Sequence, residues 1–236
     1  MQVFENIKRL GGFVTDLVFP VSCLVCGTEG SYLCQNCQAK LPRMEKQQCL
    51  VCQKPAPYGK THPECVTRNS VDGAIAGLTH SHKFVQNIIR TFKYDFVSRL
   101  ALPLSQILVE TINDQGLENY FQNFIVVPVP LHKRRFNWRG FNQASLLSQT
   151  LADQLKVPID EQLVVRQKYT EPQVRLSADQ RKRNMDNAFK LIGDARDKKL
   201  LLVDDMVTSG STANELAKLL KSAKTAEVWI ASAAHG

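Results

Sequence analysis

Two adjacent carboxylates, Asp204 and Asp205, follow a run of four apolar residues and precede a loop built almost wholly from hydroxyls and glycine. The stretch Lys199 to Ala213 reads KLLLVDDMVTSGSTA. Leu200 to Val203 suit a buried strand ending on the acidic pair, and Met206 and Val207 lead into Thr208, Ser209, Gly210, Ser211 and Thr212. Ala213 to Leu220 then carry the apolar spacing of a helix. A helix N-terminus offers unpaired N–H groups and roughly +0.5 of dipole charge to an anion. Gly210 lets backbone approach that anion closely, and the loop hydroxyls add donors. Two carboxylates aimed at a phosphate would repel it, so they suit vicinal sugar hydroxyls or a divalent metal beside it. The combination predicts a sugar-phosphate site. An ordinary βα turn is the alternative, but capping a helix needs one such residue and not seven.

A second group of residues has metal-ligand chemistry. All seven cysteines lie between positions 23 and 65, as Cys23-x2-Cys26, Cys34-x2-Cys37, Cys49-x2-Cys52 and then His62-x2-Cys65. Each C-x-x-C lets both sulfurs reach one ion, so eight ligands suffice for two tetrahedral zinc sites. The expected sets are Cys23, Cys26, Cys34, Cys37 and Cys49, Cys52, His62, Cys65. The second needs His62, whose other reading is a solvated loop imidazole. Disulfides fit poorly, because seven is an odd count and the N-terminus lacks a secretory pattern. Four protein ligands leave no open coordination position, so the expected role is structural. Apparent zinc affinity of roughly 10–16 kcal/mol is then folding energy for the segment.

The elements that must position these groups are legible in outline. The chain has 236 residues, 44% hydrophobic and 22% charged, a globular composition. No run reaches the ~18 apolar residues of a membrane span, and the expected compartment is the cytoplasm. Residues 1–19 have amphipathic helical spacing (Phe4, Ile7, Leu10, Phe13, Val14, Leu17, Val18), interrupted by Gly11-Gly12. That helix either packs on the cysteine module or docks on a membrane surface or partner. Val71–Thr79 reads as a strand, and helices are expected over about 84–92 and 96–113. Lys93, between them, is either a solvated helix end or faces the sugar-phosphate pocket. Phe124–Val129 is a continuous apolar run, the mark of a strand buried on both faces. The basic turn Lys133, Arg134, Arg135 and Arg139 comes next, then a helix over about 142–155 and a strand at Val164–Arg166. Residues 167–187, with Arg175, Arg181, Lys182 and Arg183, read as a polar loop. The last strand is expected at Glu227–Ala231. Residues 131–199 hold 15 Lys/Arg against 8 Asp/Glu, so +7 of the net +8 lies there, which suits a polyanionic ligand.

Four apolar residues, Asp-Asp, two further residues and a Thr/Ser-Gly-x-Thr loop resemble the phosphoribosyl pyrophosphate (PRPP) motif of type I phosphoribosyltransferases. The resemblance implies an α/β fold, a Rossmann-like parallel sheet with flanking helices, preceded by a small zinc-binding module. It implies Mg2+ with PRPP, ribose hydroxyls on Asp204 and Asp205, and the 5′-phosphate in the Met206–Thr212 loop. Pyrophosphate would sit in the turn after Phe124–Val129, where Lys133, Arg134, Arg135 and Arg139 can neutralise it, arginine in bidentate fashion. Residues 167–187 would be a lid that keeps water from the reacting carbon.

With the zinc knuckles, Val127-Pro-Val-Pro-Leu-His-Lys-Arg-Arg135, Arg139-Gly-Phe-Asn-Gln143 and Arg181-Lys-Arg-Asn184, the chain resembles the ComF-type competence proteins over nearly its whole length. It departs from many relatives in having His62 and Arg68 where a further C-x-x-C is common, and Ser209 where Thr is usual. The implied divisions are a helix over 1–19, a zinc module over 20–70 and a phosphoribosyltransferase-like domain over 71–236. The implied partners are PRPP, single-stranded DNA, a helicase-like competence ATPase and the inner-membrane uptake machinery.

Three readings stay open. One is a transferase in which Asp204, Asp205, Lys133 and Arg139 act on PRPP; residues for a particular base acceptor are not evident. Another is a binding protein that holds single strands through Arg135, Trp138, Arg139, Arg175, Arg181, Lys182 and Arg183, with aromatic rings stacking bases. A packing or hinge role for Phe136 and Trp138 competes with that. The last is a scaffold whose zinc module docks the ATPase.

Overall fold

The computed structural model describes residues 21–94, 97–168 and 188–236. The amphipathic segment 1–19 and the basic residues Arg175, Arg181, Lys182 and Arg183 lie outside the described residues. The chain divides between Leu41 and Pro42 into two compact units. Residues 42–70, with the second cysteine set, therefore belong to the same unit as the sheet.

In the first unit two knuckle turns precede helix α1 (Gln35–Lys40). Gly27 takes φ +76°, which lets its N–H turn back to the Cys23 carbonyl at 2.9 Å. Such left-handed turns favour glycine because no Cβ meets the following carbonyl.

The second unit is organised by a four-stranded parallel sheet. Its elements in chain order are β1 (Gly73–Thr79), α2 (Lys83–Tyr94), α3 (Ala101–Asp114), β2 (Phe124–Pro128), α4 (Lys133–Arg139) and α5 (Gln143–Leu155). There follow β3 (Val164–Arg166), β4 (Phe189–Leu191), β5 (Lys199–Val207), α6 (Ser211–Ser222) and β6 (Glu227–His235). The sheet order is β1-β6-β5-β2, and β3 pairs with β4 as a separate antiparallel ribbon. Strands β5 and β6 lie in the middle, which explains why Leu200 to Val203 and Val228 to Ala231 are apolar without alternation. Helix α2 turns Val85, Ile88, Ile89 and Phe92 inward at helical spacing. Asn142 caps α5 by accepting from the Ala144 N–H at 3.1 Å.

Three elements differ from the sequence reading. Strand β5 does not end at Val203 but runs through both carboxylates to Val207, because β6 continues to pair with it (Asp204 with Ser232, Met206 with Ala234, Val207 with His235). Strand β6 accordingly reaches His235 and not Ala231. Its small residues Ala231, Ser232, Ala233 and Ala234 are all at most 1% exposed between β1 and β5. The basic turn after β2 is the short helix α4 and not an irregular loop.

The free edge of β1 is covered from within the unit. Met44 N–H donates to the Gly77 carbonyl at 3.0 Å, Thr79 N–H to Pro42 at 3.1 Å, and the buried Gln47 amide exchanges two bonds with Ala76. Covering the strand edge removes a template for pairing with other chains, and it ties the segment leading to Cys49 to the sheet. No described helix is long and apolar enough to cross a membrane.

Candidate functional site

The carboxyl ends of β5 and β6, the loop 208–210 and the N-terminus of α6 form one end of the sheet, the place where open α/β sheets take their ligands. A cleft open to solvent lies here, lined by Asp204, Met206, Val207, Thr208, Gly210, Ser211, Thr212, Ala213 and Ile230. Ser209 and Ser211 hydroxyls meet at 2.8 Å, so one donates to the other at the mouth of the helix and the second keeps its own O–H. Gly210 adopts φ +70° and no side chain caps α6, which leaves the first N–H groups of a twelve-residue helix for an anion.

Asp204 and Asp205 are adjacent strand residues and therefore meet different neighbours. Asp205 is 6% exposed, and its carboxylate pairs with Lys93 Nζ at 2.8 Å. Lys93 is therefore no solvated helix end; its side chain lies against Asp205. Burial works against the Lys93 ammonium, but attraction to Asp205, with Asp204 and Tyr94 adding to it, holds the pKa above its ordinary value. Asp204 accepts from the Asp205 N–H at 2.8 Å. Burial first, and the Asp205 charge second, push the Asp204 carboxyl up from 3.8 to about 7.

A carboxyl of this kind binds more protons in the folded chain than in the unfolded one between those two values. It favours the fold below its unfolded pKa, and that contribution is lost as pH rises through about 7. Melting wild type and Asp204→Asn side by side from about pH 5 to about pH 8 checks this. The wild type is expected to lose ground to the variant as pH rises, and parallel curves would refute the raised Asp204 carboxyl.

Cations reach the acidic pair from two further elements. Arg139, at the end of α4, is partly buried, stacks over the Tyr94 ring at 5.2 Å and donates to Gln143 Oε1 at 2.9 Å. Burial lowers its pKa, opposed chiefly by attraction to Asp205. Its Nε is buried without a hydrogen-bond partner among the described residues. Gln143, 1% exposed, also reaches the carbonyls of Phe92 and Lys93, so it fastens Arg139 to the end of α2. Arg166, read in the sequence only as the end of a strand, lies over Phe189 at 5.3 Å. Burial and the Arg135 charge lower it to about 10, while Asp204 acts the other way. Lys133 and Arg134 are exposed on α4, and Arg135 is half-buried. Trp138 is 60% exposed, and its ring stands 6.4 Å from the half-exposed Tyr94 ring. The structure thus brings Asp204, Asp205, Arg139 and the 206–212 loop to one end of the sheet, and it adds Lys93, Gln143, Arg166 and Tyr94. Arg139 ends α4 and Gln143 opens α5, with the left-handed Gly140 between them, so their bond comes from the turn joining the two helices; nothing local marked Arg166.

Both cysteine sets close as the spacing predicts. In each, four ligand atoms lie within 4.8 Å of one another. Cys26 and Cys34 sulfurs are 3.8 Å apart, the edge of a tetrahedron with Zn–S near 2.3 Å. His62 presents Nδ1 to Cys52 Sγ at 3.3 Å, while its Nε2 meets the Pro55 carbonyl at 3.1 Å. Donation to that carbonyl assigns the proton to Nε2 and frees the Nδ1 lone pair for a metal, the usual outer-sphere arrangement. Burial drives Cys37 and Cys65 up to about 12, so these thiol clusters need a cation to ionise fully. The residues fit zinc.

Comparison with known proteins agrees with this layout. A double zinc ribbon family matches residues 14–66, and the phosphoribosyl transferase domain family matches residues 142–235. The chain is 35% identical over 214 residues to the DNA utilization protein YhgH of Salmonella typhimurium, covering 88% of each. It is 30% identical over 203 residues to competence protein F of Haemophilus influenzae, covering 84% of this chain and 88% of that one. The chain belongs to the ComF-type competence protein family. Competence protein ComFC of Bacillus subtilis is a more distant member, 25% identical over 258 residues and covering 94% of this chain and 96% of that one. The ComF fold is therefore a zinc ribbon joined to a phosphoribosyltransferase-type α/β domain, as the motif and the parallel strand order both indicate.

Proposed function

We propose that the chain binds Mg-PRPP or another 5′-phosphorylated ribose and supports the uptake and handling of transforming single-stranded DNA. The observation that carries the first part is the cleft at the α6 N-terminus, where loop hydroxyls and uncapped N–H groups share the lining with Asp204. In this reading the 5′-phosphate lies against residues 208–212, with Met206 and Val207 leading into the cradle. The ribose hydroxyls lie on Asp204 and Asp205, and Asp204 has acceptor capacity left because Lys93 neutralises its neighbour. Mg2+ would accompany the pyrophosphate, supplying charge neutralisation through oxygen ligands. Arg139, with Lys133, Arg134 and Arg135 from the same short helix, would face the pyrophosphate end. If transfer occurs, Arg139 and Lys133 stabilise the departing pyrophosphate while the two aspartates hold the sugar.

The second part draws on the names of the relatives, which are competence and DNA utilization proteins, and on the exposed Tyr94–Trp138 ring pair beside Arg139. Rings and guanidinium at a basic surface suit stacking of unpaired bases, worth about 1–3 kcal/mol per base. A competence ATPase and the inner-membrane uptake machinery are the partners this role would need, with the work done in the cytoplasm. Docking of that ATPase by the zinc ribbon is a compatible scaffold role.

Calorimetric titration of Mg-PRPP into zinc-loaded protein tests the pocket, and no heat would end the PRPP reading. Tryptophan emission tests the DNA reading, because of the two tryptophans Trp229 is 1% exposed and Trp138 60% exposed. Oligo-dT is expected to quench the Trp138 component with salt-dependent affinity, and Trp138→Phe to remove the signal. Unchanged emission at low salt would reject base stacking at this ring.

A further inference from the structure

We propose that the second metal knuckle braces the anion loop, with Leu50 as the positioning residue that sets the backbone at Gly210. The inference rests on the reading of residues 208–212 as the phosphate cradle.

Leu50 lies between the ligands Cys49 and Cys52, where surface exposure is ordinary for a knuckle tip. Here it is 3% exposed and belongs to the core formed with Val207, Ala213 and Leu216. A Cβ placed on Gly210 would sit 3.1 Å from Leu50 Cβ and 3.3 Å from its Cδ1. The knuckle tip therefore seats directly against the loop glycine. Gly210 has φ +70°, a conformation a side chain would strain, so the loop is shaped at this point by its own backbone and by what packs on it.

A second arm from the same ligand set reaches the next turn. Beyond His62 and Cys65 the chain passes to Val71, whose N–H donates to Asn214 Oδ1 at 3.4 Å. Asn214 N–H in turn donates to the Gly210 carbonyl at 2.8 Å, closing the first turn of α6. One residue on, Asp72 accepts from Lys221 Nζ at 2.7 Å and from the Val228 N–H at 2.8 Å, so this arm holds α6 at its other end as well. Cys49–Cys52 and His62–Cys65 meet at the ligand set, and each is also tied toward β1, the first through Gln47 to Ala76 and the second through Thr61 to Val71 and Asp72. Zinc there would add a cross-link between the arm on Gly210 and the arm on Asn214, beyond the hydrogen bonds that already hold each, and so narrow the conformations open to the loop between them. A loop already ordered does not lose that entropy when an anion arrives, so affinity follows the fraction of protein with the loop in place. Filling of this metal site and anion affinity are thus linked, although the metal does not touch the anion.

The test uses the full chain, zinc-loaded, as Leu50→Ala, the milder Leu50→Val, and Leu220→Ala as a core truncation at the far end of α6. Amide exchange of residues 208–214 is measured without ligand, Mg-PRPP affinity by calorimetry, and zinc content by chelator release. Leu50→Ala is expected to speed exchange of 208–214 and weaken Mg-PRPP about tenfold, Leu50→Val less so, while both keep two zinc ions. Leu220→Ala is expected to lower the melting temperature and change neither readout. Exchange in the Leu50 variants no faster than in Leu220→Ala would overturn the brace, and faster exchange with unchanged affinity would overturn the linkage. If wild type takes up no Mg-PRPP, the exchange arm still decides the brace and only the ligand reading falls.

Discussion

Asp205→Ala is expected to lower the unfolding free energy by about 3–5 kcal/mol, because it strands the Lys93 ammonium in a covered site with its partner gone. The pair is close, 2.8 Å, and its side chains are 19% and 9% exposed, so solvent screens it little. Removing both charges is a different experiment. Lys93→Met with Asp205→Leu replaces the pair by apolar groups and is expected to recover most of the lost stability, since a buried pair adds little over well-packed hydrophobes. It is not expected to recover ligand binding, because the acceptors for ribose hydroxyls are gone. Urea unfolding of the wild type, the single and the double variant, with Mg-PRPP calorimetry on each, separates the two effects. A single variant within about 1 kcal/mol of wild type would mean that water reaches Lys93 and the pair acts as a surface bridge.

The two metal sites are expected to fail differently. Cys65→Ser breaks the set that belongs to the sheet unit, whereas Cys37→Ser breaks the set in the unit ending at Leu41. Metal binding worth roughly 10–16 kcal/mol is folding energy wherever the apo segment cannot fold. Cys37→Ser is therefore expected to lose one zinc ion and keep the main calorimetric transition of the sheet unit. Cys65→Ser is expected to lose one zinc ion and lower that transition by more than ten degrees, roughly what several kcal/mol amount to in a unit of this size. It also loosens the 208–214 loop if the brace holds. Zinc release by a chromogenic chelator and scanning calorimetry read both outcomes. Equal effects of the two substitutions would refute the division between Leu41 and Pro42 as an energetic boundary.

Gln143 and Arg166 show how the site is held beyond the residues that meet a ligand. Gln143 ties Arg139 to the carbonyls at the end of α2, and the half-buried Arg166 on the β3–β4 ribbon acts on Asp204 through its charge. Neither stands next to the acidic pair in sequence. Their contribution is to keep charges of opposite sign in place where water is scarce, which makes the pair's electrostatics stronger than at a surface.

What the amino-acid sequence determined by itself was the chemistry whose parts are neighbours along the chain. The two groups of ligand residues follow from C-x-x-C spacing, and the structure gathers His62 with Cys49, Cys52 and Cys65, because a knuckle brings its residues together by local turns. The acidic pair, the hydroxyl loop and the helix after it are contiguous, so strand, turn and helix suffice to build the cradle. The parallel sheet was legible from the unalternating apolar runs at Phe124–Val129 and Leu200–Val203. Only the tertiary structure decided which distant groups complete the site. Lys93 meets Asp205, the Arg166 charge acts on Asp204, and Val71 reaches Asn214 across 143 residues. Strand ends were decided the same way, since β5 and β6 extend only as far as each finds a partner to pair with. The physical reason is common to all of these. Spacing along a chain fixes which groups share a turn or a face, while burial and long-range pairing depend on how whole elements pack, and a residue such as Leu50 carries no local mark of the glycine it will touch.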